Sequence, residues 1–165
     1  MAKPFVFIVM GSDSDAEVMS QAAAALDEFG VPYQMTVASA HRSPERTKNA
    51  ILEAEQNGAA VFIAGAGMAA HLPGVVASLT TKPVIGVPLS SNALQGVDAL
   101  YAIVQMPPGI PVASVAIGGG RNAGILAAQI IGVSDPALSS RLKANRAKMA
   151  EGVAEKSKKV DKSTR

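Results

Sequence analysis

Residues 59–74 read AAVFIAGAGMAAHLPG, a short apolar run broken by glycines and alanines before a histidine and a new segment. A continuous run of strand length, rich in β-branched and aromatic residues, suits a strand buried on both faces. The same succession recurs on either side. Apolar runs stand at 5–11 (FVFIVMG), 33–39 (YQMTVAS), 83–88 (PVIGVP) and 112–118 (VASVAIG), and amphipathic or alanine-rich segments lie at about 15–29, 44–57, 70–80, 97–105 and 120–132. Five strands alternating with helices predict an open parallel α/β sheet with right-handed crossovers and helices on both faces. A further segment begins with Asp135 as N-cap and Pro136 at the first helical position, then repeats Leu138, Leu142, Met149 and Val153 on roughly one face. It predicts an extra C-terminal helix that packs on a neighbour rather than forming a second domain. Residues 1–155 are expected as one domain, and 156–165 as a polar tail with the composition of a disordered end.

With 165 residues the chain suits a single core, yet 48% of it is apolar. The surplus concentrates in 97–133, where small and branched residues occupy nearly every helical face. Such helices must be covered on all sides, which predicts a sizeable homo-oligomer. There is no cysteine, so disulfides and thiolate metal sites are excluded. The N-terminus lacks the pattern of a secretory leader, and no apolar run reaches membrane-spanning length, so a cytoplasmic protein without membrane association is expected. The net charge is only +2, the basic residues of 155–165 form no stripe, and aromatics are few. Nucleic-acid binding is not expected.

In open parallel sheets ligands bind beyond the C-terminal strand ends where the strand order reverses. The common flavodoxin-like order, 2-1-3-4-5, makes neighbours of the loops after the first three strands. The first loop, GSDSD at 11–15, offers Ser12, Ser14 and Asp15 at a helix start. These residues serve equally well as caps or as contacts to a phosphate and ribose hydroxyls. The second, SAHRSPE at 39–45, carries Ser39, His41 and Arg42. A guanidinium suits a phosphate, and an imidazole gains and loses a proton near neutrality. In the third, Gly65 and Gly67 are expected to permit positive φ and close approach of a ligand, with Ala66, Ala69 and Ala70 keeping the wall small. His71 suits either a ligand contact or a hydrogen bond that caps and orients this loop. The loops PLSSNALQG (88–96) and IGGGRNAG (117–124) are less distinctive: the former can close over a site with Ser90, Ser91 and Asn92 or serve only as a turn, and the latter suits packing on a neighbouring chain as well as ligand contact.

No Walker motif, dinucleotide fingerprint or serine elbow is present, and the histidines and carboxylates do not cluster as metal ligands would. General acid/base chemistry on a phosphorylated small molecule remains, with no metal and no other cofactor.

The motifs MGSDSD, SAHRSP and GAG-AAHLPG, followed by GVDALYAIVQMPPGIPV, together resemble the class I PurE family, the N5-carboxyaminoimidazole ribonucleotide (N5-CAIR) mutases of purine (IMP) biosynthesis. The likeness runs from about residue 5 to 132. Met68 stands where that family usually has glycine, a departure that bears on the loop's width and flexibility. The resemblance implies a flavodoxin-like domain in a cytoplasmic octamer, with active sites at subunit junctions and an N5-CAIR synthetase as functional partner. It implies an isomerase that moves CO2 from N5 to ring carbon C4, giving 4-carboxy-AIR by decarboxylation and recarboxylation. Carried over by position, His41 is the acid/base. Ser12, Asp15 and Arg42 bind substrate, and Ser14, Ser39, Gly65, Ala66, Gly67, His71 and Leu72 complete the candidate set. The rival within the family is a class II AIR carboxylase using free CO2, whose third loop contains serine and lacks the AAHLPG run. Outside the family, a non-enzymatic nucleotide- or flavin-binding module and a scaffold compete. The few aromatics argue against flavin, and a scaffold leaves His41, His71 and Arg42 unexplained.

Overall fold

The computed structural model of the chain describes residues 3–161. Five parallel strands, β1 (Phe5–Met10), β2 (Tyr33–Val37), β3 (Ala59–Gly67), β4 (Val84–Leu89) and β5 (Ala113–Ser114), lie in the order β2-β1-β3-β4-β5. The helices are α1 (Ala16–Glu28), α2 (Pro44–Gln56), α3 (Leu72–Leu79), α4 (Val97–Val104), α5 (Gly120–Gly132) and α6 (Pro136–Asp161). This is the three-layer flavodoxin-like sheet, with an added C-terminal helix, that the alternation of elements predicts.

Side chains alternate across a strand, and here the alternation divides one apolar run between two cores. Val6, Ile8 and Met10 of β1 pack with Met19 and Leu26 of α1 and Ala123 and Ala127 of α5. Phe5, Phe7 and Val9 face the opposite way, towards Ile51 of α2, Val76 of α3 and Ile103 of α4. Phe7 meets Phe62 of β3 edge-on, with ring centroids 5.8 Å apart. Each large side chain so buried contributes about 1.5–3 kcal/mol. β1, β3 and β4 therefore tolerate almost no polar residue, which is why their runs stand out in the sequence.

The edge strands depart from that pattern. β2 is only half-buried, and Met35 and Val37 are exposed. β5 is shorter than the expected 112–118: only Ala113 and Ser114 pair, with Ile85 and Gly86 of β4. The chain stays beside β4 a little longer, through Val115 N–H to Gly86 O (3.2 Å) and Gly118 N–H to Pro88 O (2.9 Å). With one neighbour only, it is free to bend, and Gly118 turns it away at φ +70°.

The glycines of 117–124 serve packing within the chain. A Cβ on Gly120 would lie 2.1 Å from Val18 O, and one on Gly124 would lie 2.4 Å from Ala22 O and 2.9 Å from Ala25 Cβ. Glycine at these positions lets α5 seat directly on the backbone of α1. The start of α6 is fastened to the same side by buried Leu138 and by Arg141 Nε, which donates to Phe29 O at 2.9 Å. Farther along, Met149, Val153 and Val160 are exposed. The segment expected as a tail continues α6 as far as Asp161, and 162–165 lie outside the described residues.

In an exposed helix Gly→Ala stabilises by about 1 kcal/mol, whereas overpacking costs about 1–3 kcal/mol. The contacts at Gly124 decide the sign. Gly124→Ala should lower stability by about 1–2 kcal/mol in denaturant titration, and a stabilised variant would show that α1 and α5 are not in close contact.

Candidate active site

The strand order brings the ends of β2, β1 and β3 side by side, and each opens into a turn held by its own hydrogen bonds. After β1, Ser12 adopts an extended conformation (φ −150°) and caps a short 3-10 turn, Asp13–Asp15. Ser12 N–H donates to Asp15 Oδ2 at 3.0 Å, and Ser14 N–H donates to Ser12 Oγ at 3.4 Å. The hydroxyls of Ser14 and Ser12 meet at 3.0 Å. After β2, Ser39 N–H donates to Ser43 Oγ (3.1 Å), while Ser43 returns its N–H (2.9 Å) and its hydroxyl (3.1 Å) to Ser39 O. This closed turn presents His41 and Arg42 from its outer side. After β3, Ala70 N–H and His71 N–H reach back to Met68 O and Ala69 O, both at 2.8 Å.

Arg42 stitches the first two turns together. Its Nη2 donates to Gly11 O at 2.9 Å and its Nε to Ser39 Oγ at 3.4 Å. Nη1 has no partner among the described residues, so the guanidinium keeps donors for an anion. His41 Nε2 lies 2.9 Å from Nδ1 of His71, across two loops, with ring centroids 4.9 Å apart.

An open cleft of about 700 Å³ lies between these turns. Ser12, Ser14, Asp15, Ser39, His41, Arg42, Ala66, Gly67 and Leu72 line it, joined by Ala40, Met68, Ala69 and, beyond β4, Ser90, Ser91 and Asn92. For Ser12 and Asp15 the two readings of the sequence coincide, since the same side chains cap the turn and line the cleft, and Ser14, whose hydroxyl bonds Ser12 Oγ, lines it beside them. Two candidates stand apart. His71 is not in the lining and reaches it through His41. Gly65 is buried, and a Cβ there would strike Met19 Sδ at 2.4 Å, so it makes room for α1 rather than for a ligand. The expected positive φ occurs at neither Gly65 nor Gly67. It falls on Met68, at +55°. Ala70 is buried in the core below the wall. Ser90, Ser91 and Asn92, whose loop suits either closing over a site or plain turn chemistry, reach the lining because β4 lies beside β3.

Asp15 has its carboxyl held above the ordinary range. Burial is the chief cause, opposed by hydrogen bonds from Ser12 and Ser14 and by the nearby Arg42 charge, and assisted by Asp13. A half-buried carboxylate against a cation and several donors is equipped to accept from ligand hydroxyls.

The chain matches the family model described as AIR carboxylase over residues 5–152. It belongs to the AIR carboxylase family. Among relatives of this family, it is 54% identical to the N5-carboxyaminoimidazole ribonucleotide mutase of Pyrococcus horikoshii, over 96% of this chain and 90% of the relative. It is 52% identical to the mutase of Thermotoga maritima, covering 96% and 92%. The phosphoribosylaminoimidazole carboxylase of Schizosaccharomyces pombe is also 52% identical, but the chain spans only 29% of its length. The crystal structure of Treponema denticola PurE superposes with a TM-score of 0.88 at 30% identity, over 95% of this chain and 98% of that one. The family likeness carried by the loop motifs thus extends over nearly the whole domain.

A carboxyl that binds its proton more tightly when folded contributes stability below its unfolded value and loses it as pH rises through the folded one. Ionised at neutral pH, Asp15 therefore weakens the fold. Asp15→Asn, which keeps an oxygen for Ser12 N–H, should raise Tm at pH 7, and the gain should vanish as the pH falls below 3.8. A lower Tm at pH 7 would contradict the stated cause.

Proposed function

We propose that the chain is an N5-CAIR mutase of purine biosynthesis, an isomerase that moves CO2 from N5 to C4 of the aminoimidazole ribonucleotide. The observation that carries this reading is a guanidinium with free donors next to an imidazole, in one cleft, facing a wall of Ala66, Gly67 and Ala69. Arg42, with Ser12 and Ser14, takes the phosphate, Asp15 the ribose hydroxyls, and Ser39 and Leu72 the adjoining wall.

The reaction then runs in two halves. Cleavage of the N–CO2 bond leaves its electron pair on the nitrogen, which His41 as imidazolium protonates, giving AIR and CO2. C4 of the ring then attacks CO2, and His41, now neutral, takes the C4 proton and restores aromaticity. The proton that leaves His41 in the first half returns in the second, so the sum is an isomerisation. The small apolar wall favours keeping CO2 at the site between halves. No metal or other cofactor enters the scheme, and an N5-CAIR synthetase is the enzyme that supplies the carbamate. The family's description as AIR carboxylase supports a second reading, capture of free CO2 by AIR at the same residues.

The working form we propose is a cytoplasmic homo-octamer. Val97, Tyr101 and Val104 stand on one face of α4 at 45, 64 and 49% exposure, and Asp98 Oδ1 on the same helix is buried with no partner among the described residues. An apolar stripe beside an unsatisfied carboxylate is what a subunit interface would cover.

Turnover of N5-CAIR with a labelled carboxylate in unlabelled bicarbonate, followed by NMR, separates the two reactions. The label should appear at C4 of the product; a washed-out label with turnover of AIR and CO2 would assign the carboxylase instead. His41→Asn should lower kcat by at least about 10²-fold, the contribution of one placed acid/base group. Arg42→Ala should act mainly on KM, raising it by about 10- to 100-fold through loss of charge-assisted hydrogen bonds. Normal turnover in His41→Asn would remove the proposed mechanism.

A further inference from the structure

We propose that His71 is the positioning residue of His41: Nδ1 of His71 accepts a hydrogen bond from Nε2–H of His41, which leaves Nδ1 of His41 as the nitrogen that exchanges protons with substrate. The proposal rests on the mutase reading and adds to it the identity of the reacting atom.

Four observations carry it. First, at 2.9 Å the two facing nitrogens hold one hydrogen between them. If His41 is the donor, both neutral rings have their hydrogen on Nε2, the more stable form of a free imidazole side chain. Second, Nδ1 of His41 has no partner among the described residues, and His41 lines the cleft while His71 does not. Third, the His71 side chain makes no other hydrogen bond among the described residues. The residue stands at the N-terminus of α3, yet its imidazole makes no capping hydrogen bond, and the backbone N–H is already bonded to Ala69 O. Fourth, its backbone is fixed. The flanking Ala70 and Leu72 are 1 and 3% exposed, so the ring projects from a segment anchored in the core.

The arrangement follows the logic of a base oriented by a third group. When His41 becomes an imidazolium, the bond from its Nε2–H to His71 becomes charge-assisted, and the ring stays aimed while Nδ1 gives up its proton. A chance meeting of two exposed histidines would affect neither the tautomer nor turnover.

The test uses the full chain with ¹⁵N-labelled histidine. There are only two histidines, so His41→Asn assigns both sets of ring signals. In wild type, His41 should carry its hydrogen on Nε2 and a bare Nδ1. His71→Leu should release that preference and lower kcat for N5-CAIR by about 10- to 100-fold, with KM changed less than about threefold. His71→Asn, whose amide oxygen takes the place of Nδ1 as acceptor, should restore most of both. A hydrogen on Nδ1 of His41 in wild type, or His71→Leu with unchanged kcat, would overturn the proposal while leaving the mutase reading intact. A wild-type chain that turns over no N5-CAIR would remove the mutase reading, and the tautomer signals would still decide the contact.

Discussion

β1 hydrogen-bonds on both edges, to β2 through Val6–Met10 and to β3 through Phe5–Met10, and the site depends on that double pairing. The crossover through α1 runs to one side of β1, and the later crossovers run to the other. The loops after β1, β2 and β3 therefore open on a common crevice that no helix fills. Arg42 then closes the gap between two of them by reaching Gly11 O. The cleft is thus a product of strand order and two buried faces, with the polar side chains added where the chain leaves the sheet.

Small residues give this scaffold its close fit. Gly120 and Gly124 bring α5 onto α1, Gly65 admits Met19, and Ala66 and Gly67 form the floor of the cleft. Met68 is the exception, a long side chain in the left-handed region, where a residue with a Cβ costs about 1–2 kcal/mol. The resemblance to the mutases places glycine here. Retaining a strained conformation with another residue fits a turn whose shape is set by Ala70 and His71 bonding back to Met68 and Ala69.

The sequence made the central strands legible because burial on both faces leaves unbroken apolar runs, and it made the start of α6 legible through Asp135-Pro136, where Asp135 Oδ1 accepts from Leu138 N–H. The edges were harder to read. Nothing local distinguishes the two paired residues of β5 from the apolar residues that follow, since the difference lies in having one neighbour instead of two. The role of Gly65 was hidden because a packing glycine and a ligand-approach glycine look alike until the opposing helix is known. His41 and His71 are thirty residues apart, and their contact depends on the path of two loops, which no periodicity encodes. What could be read was that His41 and Arg42 belong to one polar loop at the cleft; what could not was the contact between His41 and His71.

A crystal structure of the chain with 4-carboxy-AIR bound tests the central claim most directly. It should show the phosphate on Arg42 and the first-loop serines, with C4 of the imidazole within reach of His41. Product seated elsewhere, for example in the cleft between β2 and α2 lined by Gln34, Arg46 and Asn57, would contradict the account.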